Sequence, residues 1–266
     1  MLITIETREP DGSQKNLSAG LIKQYKIPLT TIKEQEKIAS FLDSVSLRIT
    51  QLRRKHELLE TYKKGVMQKI FSQQIRFKQD DGKPFPDWEK KKLSDIFIES
   101  RIKGSTGDKA KKLTVKLWGR GVFSKEGKGS SSTQYYIRKA GQFIYSKLDF
   151  LNCAFGVIPN ELDGFESTVD LPCFDIEEGY SSFFLLQRIM QRNFYKQLGD
   201  QADGSRKAKR IHADTFLSFL IDTPCLEEQE KIANFLTSID KKIEAVALQI
   251  KTMEEFKKGL LQKMFV

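Results

Sequence analysis

Residues 34–71 read EQEKIASFLDSVSLRITQLRRKHELLETYKKGVMQKIF, and residues 228–265 read EQEKIANFLTSIDKKIEAVALQIKTMEEFKKGLLQKMF. Aligned without a gap, these two stretches are identical at 17 of 38 positions. Such self-similarity within one chain indicates an internal duplication. The rest of the chain is organised around the two copies.

Both copies carry apolar residues at alternating steps of four and three, which is the pattern of a coiled-coil helix. A helix of this length spans roughly 55 Å at 1.5 Å per residue. Two seams of matching period most simply pack on each other, although a long helix lying on a globular core would show a related pattern. The predicted seam positions are Ile38, Leu42, Val45, Ile49, Leu52, Leu59, Ile232, Leu236, Ile239, Ile243, Val246, Ile250 and Met253.

The duplication begins upstream of the helices, because residues 11–15 (DGSQK) match residues 203–207 (DGSRK). In the second copy this piece is the tail of a globular stretch. We therefore expect residues 1–27 to be the remnant of a first domain in a larger two-unit protein. A capping box of Thr31 and Glu34 would open the first long helix, over residues 28–73. A globular domain over residues 74–220 and a second long helix over residues 221–266 would follow.

The globular stretch mixes strand and helix signals. Residues 111–118, 141–147 and 167–176 are rich in apolar and β-branched residues and predict strands. Residues 120–134 (RGVFSKEGKGSSSTQ) have no apolar periodicity and predict a loop. Residues 181–198 have helical apolar spacing followed by Gly199, which predicts an amphipathic helix. The fold class expected is α+β.

Charge is distributed unevenly around a net value of +10. Residues 101–147 hold 12 Lys and Arg against two acids, whereas residues 148–187 hold eight acids and no Lys or Arg. Residues 188–210 are basic again. A domain with a basic and an acidic side is typical of a module that binds a polyanion, although a solvated lysine-rich surface would have the same composition.

The remaining composition argues against several other classes. No apolar run reaches the length of a membrane span, and the N-terminus MLITIETREP lacks the pattern of a signal peptide. Three cysteines and two histidines show no metal-ligand spacing. We therefore expect a cytoplasmic protein with free thiols, with no metal, no cofactor and no membrane association.

Three catalytic motifs are incomplete. The stretch PDWEKK at 86–91 holds the pieces of a nuclease metal site side by side, where separate strand positions are required. The glycines of 121–129 do not have the spacing of a phosphate loop. No two prolines are adjacent, which excludes the Asn/Asp-Pro-Pro-aromatic signature of an amino-methyltransferase. We predict no catalytic residues, so a stand-alone nuclease or methyltransferase is a minor alternative.

The duplicated EQEKIA–FL … KKG–(V/L)(M/L)QK(I/M)F helix beside a basic domain resembles the specificity subunit of a type I restriction-modification enzyme. The stretches IRFKQDDGKPFPDWEKKKLSDIF and KAGQFIYSKLDFLNCAFGVIPNELDG also look like features of that family. The resemblance implies target-recognition domains alternating with two long helices packed antiparallel. It implies that each domain reads one half of a split target in double-stranded DNA. The expected partners are the methyltransferase and restriction subunits, with the methyltransferase docking on the helices.

Under this reading the basic residues would contact phosphates and nearby polar side chains would read base edges. The phosphate candidates are Arg101, Lys103, Lys111, Lys112, Arg120, Lys125, Lys128, Arg206, Lys207 and Arg210. The base-edge candidates are Ser130, Ser131, Gln134 and Tyr135. We also predict a homodimer, because two copies would supply two reading domains. A coiled-coil interaction protein without a DNA role stays open as the alternative.

Overall fold

The computed structural model describes residues 29–199 and 210–264. The expectations for residues 1–27, Arg206 and Lys207 lie outside these ranges. Two compact units make up the chain, one of residues 1–66 with 238–266 and the other of residues 67–237. In the described ranges no helix combines the length and the apolar character needed to cross a membrane.

The described elements are two very long helices and a set of short strands and helices between them in sequence. The helices are α1 (Ile32–Phe71), α2 (Ser182–Ile189), α3 (Arg192–Gly199), α4 (Ala213–Leu217) and α5 (Leu226–Met264). The strands are β1 (Glu89–Lys92), β2 (Phe97–Ser100), β3 (Lys103–Thr106), β4 (Lys112–Val115), β5 (Val122–Lys125), β6 (Gln134–Ile137), β7 (Phe143–Tyr145), β8 (Phe155–Val157), β9 (Glu166–Ser167), β10 (Cys173–Ile176) and β11 (Leu220–Thr223).

Helix α1 begins where its cap residues predict. The backbone N–H of Glu34 donates to the Thr31 hydroxyl at 3.4 Å, which satisfies one of the free donors of the first turn. Helix α5 begins later than expected, at Leu226 rather than at residue 221. The physical reason is that residues 220–223 pair with β1 as strand β11, and Pro224 has no N–H to donate.

In the first unit the two long helices run antiparallel. As residue numbers rise along α1, the numbers of their partners on α5 fall. The polar contacts that define this register are Ser46–Lys257 at 2.8 Å, Arg53–Glu254 at 2.6 Å and Lys63–Asp240 at 2.6 Å. Apolar residues of both helices are buried between them, including Val45, Ile49 and Leu52 of α1 and Ile239 and Val246 of α5. These buried residues recur with heptad spacing, which makes the helix pair a coiled coil.

In the second unit a four-stranded antiparallel sheet has the order β2-β10-β7-β8. Both of its faces are buried. Phe143 and Tyr145 of β7 lie on one face with Phe174 of β10, and Phe216 of α4 packs on them at ring distances of 4.8 to 5.7 Å. The Tyr145 hydroxyl donates to the Ile211 carbonyl at 3.1 Å, and burial raises the pKa of Tyr145.

The opposite face of this sheet carries smaller aliphatic side chains. Ile144 and Cys173 pack there with Leu113, Val115 and Val122 in one apolar cluster. The last three residues belong to a second sheet of five strands, with the order β3-β6-β9-β4-β5. Its strands are antiparallel except for the parallel pair β4 and β9. Packing on both faces explains why the central strands read as unbroken apolar runs in the sequence.

Two local predictions in this unit are wrong. Residues 122–125 form strand β5, antiparallel to β4, inside the stretch expected to be a loop. One side of β5 is exposed at an edge of the sheet, so the strand needs only Val122 as a buried apolar residue. The expected helix over 181–198 is broken at Met190 and Gln191 into α2 and α3. The break lets α2 pack on β8 while α3 packs on the turn at Phe150–Asn152.

The EQEK motif of the second repeat anchors the segment that follows α1. Glu228 is 0% exposed, and its carboxylate accepts from Arg76 at 2.7 and 3.2 Å and from the Trp88 indole at 3.3 Å. Gln229 accepts from the Ser181 backbone at 3.0 Å. Lys231 donates to Asp80 at 2.6 Å. These bonds fix the edge of the globular unit through side chains of one helical turn. All of these residues belong to the second unit.

Candidate nucleic-acid interface

Five of the predicted phosphate contacts surround the five-stranded sheet, and we name this set the basic margin. Lys103 lies on β3 and Lys125 on β5, which are the two edge strands. Lys111 directly precedes β4, Arg120 lies in the β4–β5 turn, and Lys128 lies in the connection from β5 to β6. All five side chains are exposed, and none forms an ion pair with a residue in the described ranges. Cations without a protein counter-charge are available to an external anion.

Lys112 is different and corrects one prediction. It is 6% exposed, and its ammonium donates to the carbonyl of Gly127. This bond ties the β4 strand to the β5–β6 connection. A buried ammonium committed to a backbone carbonyl cannot also reach a phosphate, so Lys112 has a structural role.

The other two described cations have protein partners. Arg101 pairs with Glu99 at 2.8 Å, and that hydrogen bond raises the pKa of the Arg101 guanidinium. Arg210 lies 3.7 Å from Asp170. Both guanidinium groups are substantially exposed, so these pairs are weak and can exchange for a phosphate.

Two of the polar candidates, Ser130 and Ser131, lie in the β5–β6 connection, which two glycines hold against the end of β3, whereas Gln134 and Tyr135 lie on β6. The N–H of Gly129 donates to the Gly107 carbonyl at 2.8 Å, and the N–H of Gly107 donates to the Thr133 carbonyl at 3.0 Å. A Cβ atom on Gly129 would lie 2.8 Å from the Gly107 oxygen, which only glycine avoids. Ser130 and Ser131 are therefore displayed, exposed, on a fixed backbone.

Gln134 and Tyr135 are less available than expected. The Gln134 amide donates to the carbonyls of Gly104 at 2.9 Å and Tyr135 at 2.7 Å. Its amide oxygen remains free to accept in the described part of the chain. Tyr135 is half-buried. Base contact through Gln134 would therefore use its oxygen.

Sequence reasoning missed three exposed residues beside the basic margin. Lys116 and Trp118 lie in the β4–β5 turn, and Phe123 lies on β5. Trp118 and Phe123 are 59% and 49% exposed. The hexapeptide KLWGRG at residues 116–121 was the sequence signal for this turn, because two cations flank a tryptophan and a glycine. This signal was missed because residues 111–118 were predicted to form a strand, whereas β4 ends at Val115.

The described residues offer little for chemistry. Among them no group of three or more His, Cys, Asp or Glu side chains is placed to hold a metal ion. A cavity of about 390 Å³ near the start of α5 is lined by Asp87, Glu89 and Glu178 together with Lys91 and Tyr180. Its excess of carboxylates disfavours an anionic ligand.

The fold and the basic margin define a class: an α+β module with exposed cations that lies in sequence between two long helices, which run antiparallel. The family model for the type I restriction modification DNA specificity domain matches residues 8–60. The MjaVIII type I restriction enzyme specificity subunit of Methanocaldococcus jannaschii is 26% identical over 262 residues, covering 91% of this chain and 61% of the relative. The MjaX specificity subunit of the same organism is 25% identical, covering 94% and 60%.

Two solved structures share the fold. The HsdS subunit from Thermoanaerobacter tengcongensis superposes with a TM-score of 0.55 at 16% identity, covering 90% of this chain and 60% of that chain. The type I restriction-modification S subunit from M. genitalium gives 0.55 at 14%, covering 94% and 66%. The chain thus spans about 60% of the length of the curated relatives it matches. Together the comparisons show that the chain is similar to type I restriction-modification specificity subunits, which confirms the resemblance. The shared architecture of the solved structures confirms the predicted fold class.

Proposed function

We propose that this chain is a non-catalytic DNA-specificity subunit whose globular unit reads one half of a split target in double-stranded DNA. The observation that carries the proposal is the basic margin, a set of five exposed cations without ion-pair partners in the described ranges. The similarity of the chain to type I specificity subunits also supports a role in DNA recognition. Such a subunit works on DNA in the cytoplasm, and we assign it no catalytic residue and no cofactor.

The test is the salt dependence of DNA binding. Binding of a 30-bp duplex would be measured by fluorescence anisotropy across a series of salt concentrations. Each phosphate contact contributes about 0.9 to the slope of log K against log salt. We therefore expect Arg120→Ala, Lys125→Ala and Lys128→Ala each to flatten the slope by about 0.9 and to weaken binding to all sequences alike.

Lys241→Ala is the matched control, because Lys241 is an exposed lysine of α5 in the other unit. It should keep the wild-type slope. If all three margin variants also kept that slope, the basic margin would not contact DNA and the proposal would lose its main support.

We further propose that the helix pair docks the methyltransferase subunits, with the restriction subunit joining the assembled complex. The predicted seam positions of the first unit are buried at Val45, Ile49, Leu52, Ile239 and Val246 and only partly buried at Ile38, Leu42, Leu59, Ile243, Ile250 and Met253. The same unit carries large apolar side chains that are exposed: Phe41, Leu47, Leu58, Tyr62, Leu248 and Phe256. We take these side chains as the candidate docking surface, because apolar and aromatic residues are enriched in the cores of protein interfaces. Leu47→Asp should abolish co-purification of the methyltransferase subunit while DNA binding by the isolated chain persists.

The proposed assembly is a homodimer. A split target needs two reading units, and the described part of the chain contains one globular unit. Twofold pairing is the commonest way in which identical chains associate. Light scattering at micromolar concentration should give twice 30.6 kDa, the mass of one chain. A monomer mass, both free and with the methyltransferase bound, would rule the dimer out.

The alternative is a coiled-coil scaffold without sequence-specific DNA binding. The exposed apolar side chains of the helices fit that role as well. A comparison of affinities for duplexes of different sequence, with the methyltransferase present, separates the two, because a scaffold would bind all sequences alike or not at all.

A further inference from the structure

The turn between β4 and β5 is held rigidly at both ends. The N–H of Lys116 donates to the Gly121 carbonyl at 2.9 Å, which closes the turn. The N–H of Trp118 donates to the Asn152 carbonyl at 2.9 Å, and that of Gly119 donates to the Cys153 carbonyl at 2.8 Å. The tip of the hairpin is therefore fixed to the neighbouring turn at Phe150–Asn152, so a side chain there is displayed in one position.

Trp118 occupies this tip at a cost to the fold. Its φ is +61°, a left-handed conformation that favours glycine over any residue with a Cβ atom. Gly119 follows with a φ of +66°, and a side chain there would collide with Met190. Trp118 does not compensate by packing, since 59% of it is exposed and it makes no ring contact with another aromatic residue in the described ranges. Strain that packing does not explain points to a ligand.

The surroundings of Trp118 identify the chemistry of that ligand. Residues 109–125 contain six Lys or Arg and no acid. Lys116 and Arg120 are exposed on either side of the tryptophan, and half-exposed Phe123 adds apolar surface on β5. Apolar rings among cations that have no counter-charge in the described ranges fit a polyanion that also presents apolar atoms. Double-stranded DNA has both, because phosphates flank grooves in which thymine methyl groups and sugar carbons are accessible.

We propose that the turn at residues 116–121 enters a groove of duplex DNA, with Trp118 against base edges and Lys116 and Arg120 on the flanking phosphates. A two-stranded β-ribbon is narrow enough for the major groove, which is about 12 Å wide. The inference rests on the proposed function and adds a reading residue to it. Trp118 contributes apolar contact with the bases, and the strained backbone sets its direction.

The test uses the chain with 5-fluorotryptophan in place of its two tryptophans. Trp118→Phe assigns the two ¹⁹F resonances. On titration with a 30-bp duplex, the Trp118 resonance should shift or broaden and that of Trp88 should stay, because Trp88 is half-buried against Glu228. A larger shift with single-stranded DNA than with the duplex would overturn the groove assignment.

Affinity measurements complete the test. Trp118→Ala should weaken duplex binding at least about fivefold. Leu220→Ala is the control and should change it less than about twofold, because Leu220 is a 50% exposed apolar residue of the β1–β11 sheet. Trp118→Gly should bind as poorly as Trp118→Ala while its thermal midpoint is unchanged or higher, since glycine relieves the left-handed strain.

The possible results of these measurements distinguish failure of this inference from failure of the proposed function on which it rests. Normal duplex affinity of Trp118→Ala together with an unmoved Trp118 resonance would overturn the inference and leave the proposed function standing. No duplex binding by the wild-type chain, with or without its methyltransferase partner, would overturn both.

Discussion

Glu228→Gln tests how much one buried carboxylate contributes to the globular unit. The carboxylate accepts three hydrogen bonds, two from Arg76 and one from Trp88, at 2.7 to 3.3 Å. Removing one partner of a buried ion pair costs about 3–5 kcal/mol. Glutamine keeps the size and one acceptor, and Arg76 retains Asp87 at 3.3 Å and the Phe85 carbonyl. We therefore expect a loss of about 2–3 kcal/mol in the free energy of unfolding.

The duplication supplies a matched control at Glu34. Glu34 and Glu228 occupy equivalent repeat positions in the first turns of α1 and α5, so both interact alike with the helix dipole. Glu34 is exposed and bonded to the nearby Thr30 hydroxyl. Glu34→Gln should change the free energy of unfolding by no more than about 0.5 kcal/mol. The difference between the two variants then reports the tertiary contacts alone.

Urea unfolding followed by tryptophan fluorescence and by circular dichroism would measure both variants in the full chain. For a unit of residues 67–237, a loss of 2–3 kcal/mol corresponds to a fall in thermal midpoint of about 4–12 °C. The fluorescence of Trp88 should change in the native state of Glu228→Gln only. Equal midpoints for the two variants would refute the buried ion pair as a stabilising contact.

Further predictions concern the seam and the thiols. Ile49→Asp buries an unpaired charge in the helix pair and should lower the free energy of unfolding by several kcal/mol. Leu47→Asp, on the exposed side of the same helix, should leave the free energy of unfolding unchanged. Equal thermal midpoints for the two variants would show that the seam is not packed. At pH 8 a thiol reagent should modify Cys225 alone in the native chain, because burial raises the pKa of Cys153 to about 11 and of Cys173 to about 12; three equivalents without denaturant would contradict this. The pKa of each buried thiol is higher in the folded chain than in the unfolded chain. The stability that the two thiols contribute should therefore be complete below about pH 9 and be lost as the pH rises through about 11 and 12.

The candidate site was only partly predictable from the sequence. Charge counting found the cations of the basic margin, because a local excess of Lys and Arg survives any fold that keeps them on the surface. It could not separate Lys111 from Lys112, since one residue of strand register turns a side chain from solvent into the interior. It also missed Trp118, whose exposure depends on hydrogen bonds to residues 152 and 153, distant in sequence.

The sequence by itself determined the two long helices and the α+β class. Heptad spacing and cap residues are local signals, and a helix of 40 residues sums many of them. Strand β5 and the break at Met190 depend on the tertiary contacts of each segment, with β4 for the strand and with β8 and the turn at Phe150–Asn152 for the two helices. Local sequence signals carry no information about such contacts. The EQEK motif shows the difference most directly. Its letters are identical in both repeats, yet Glu34 is exposed and Glu228 is fully buried, because only tertiary structure places Arg76 and Trp88 against the second copy.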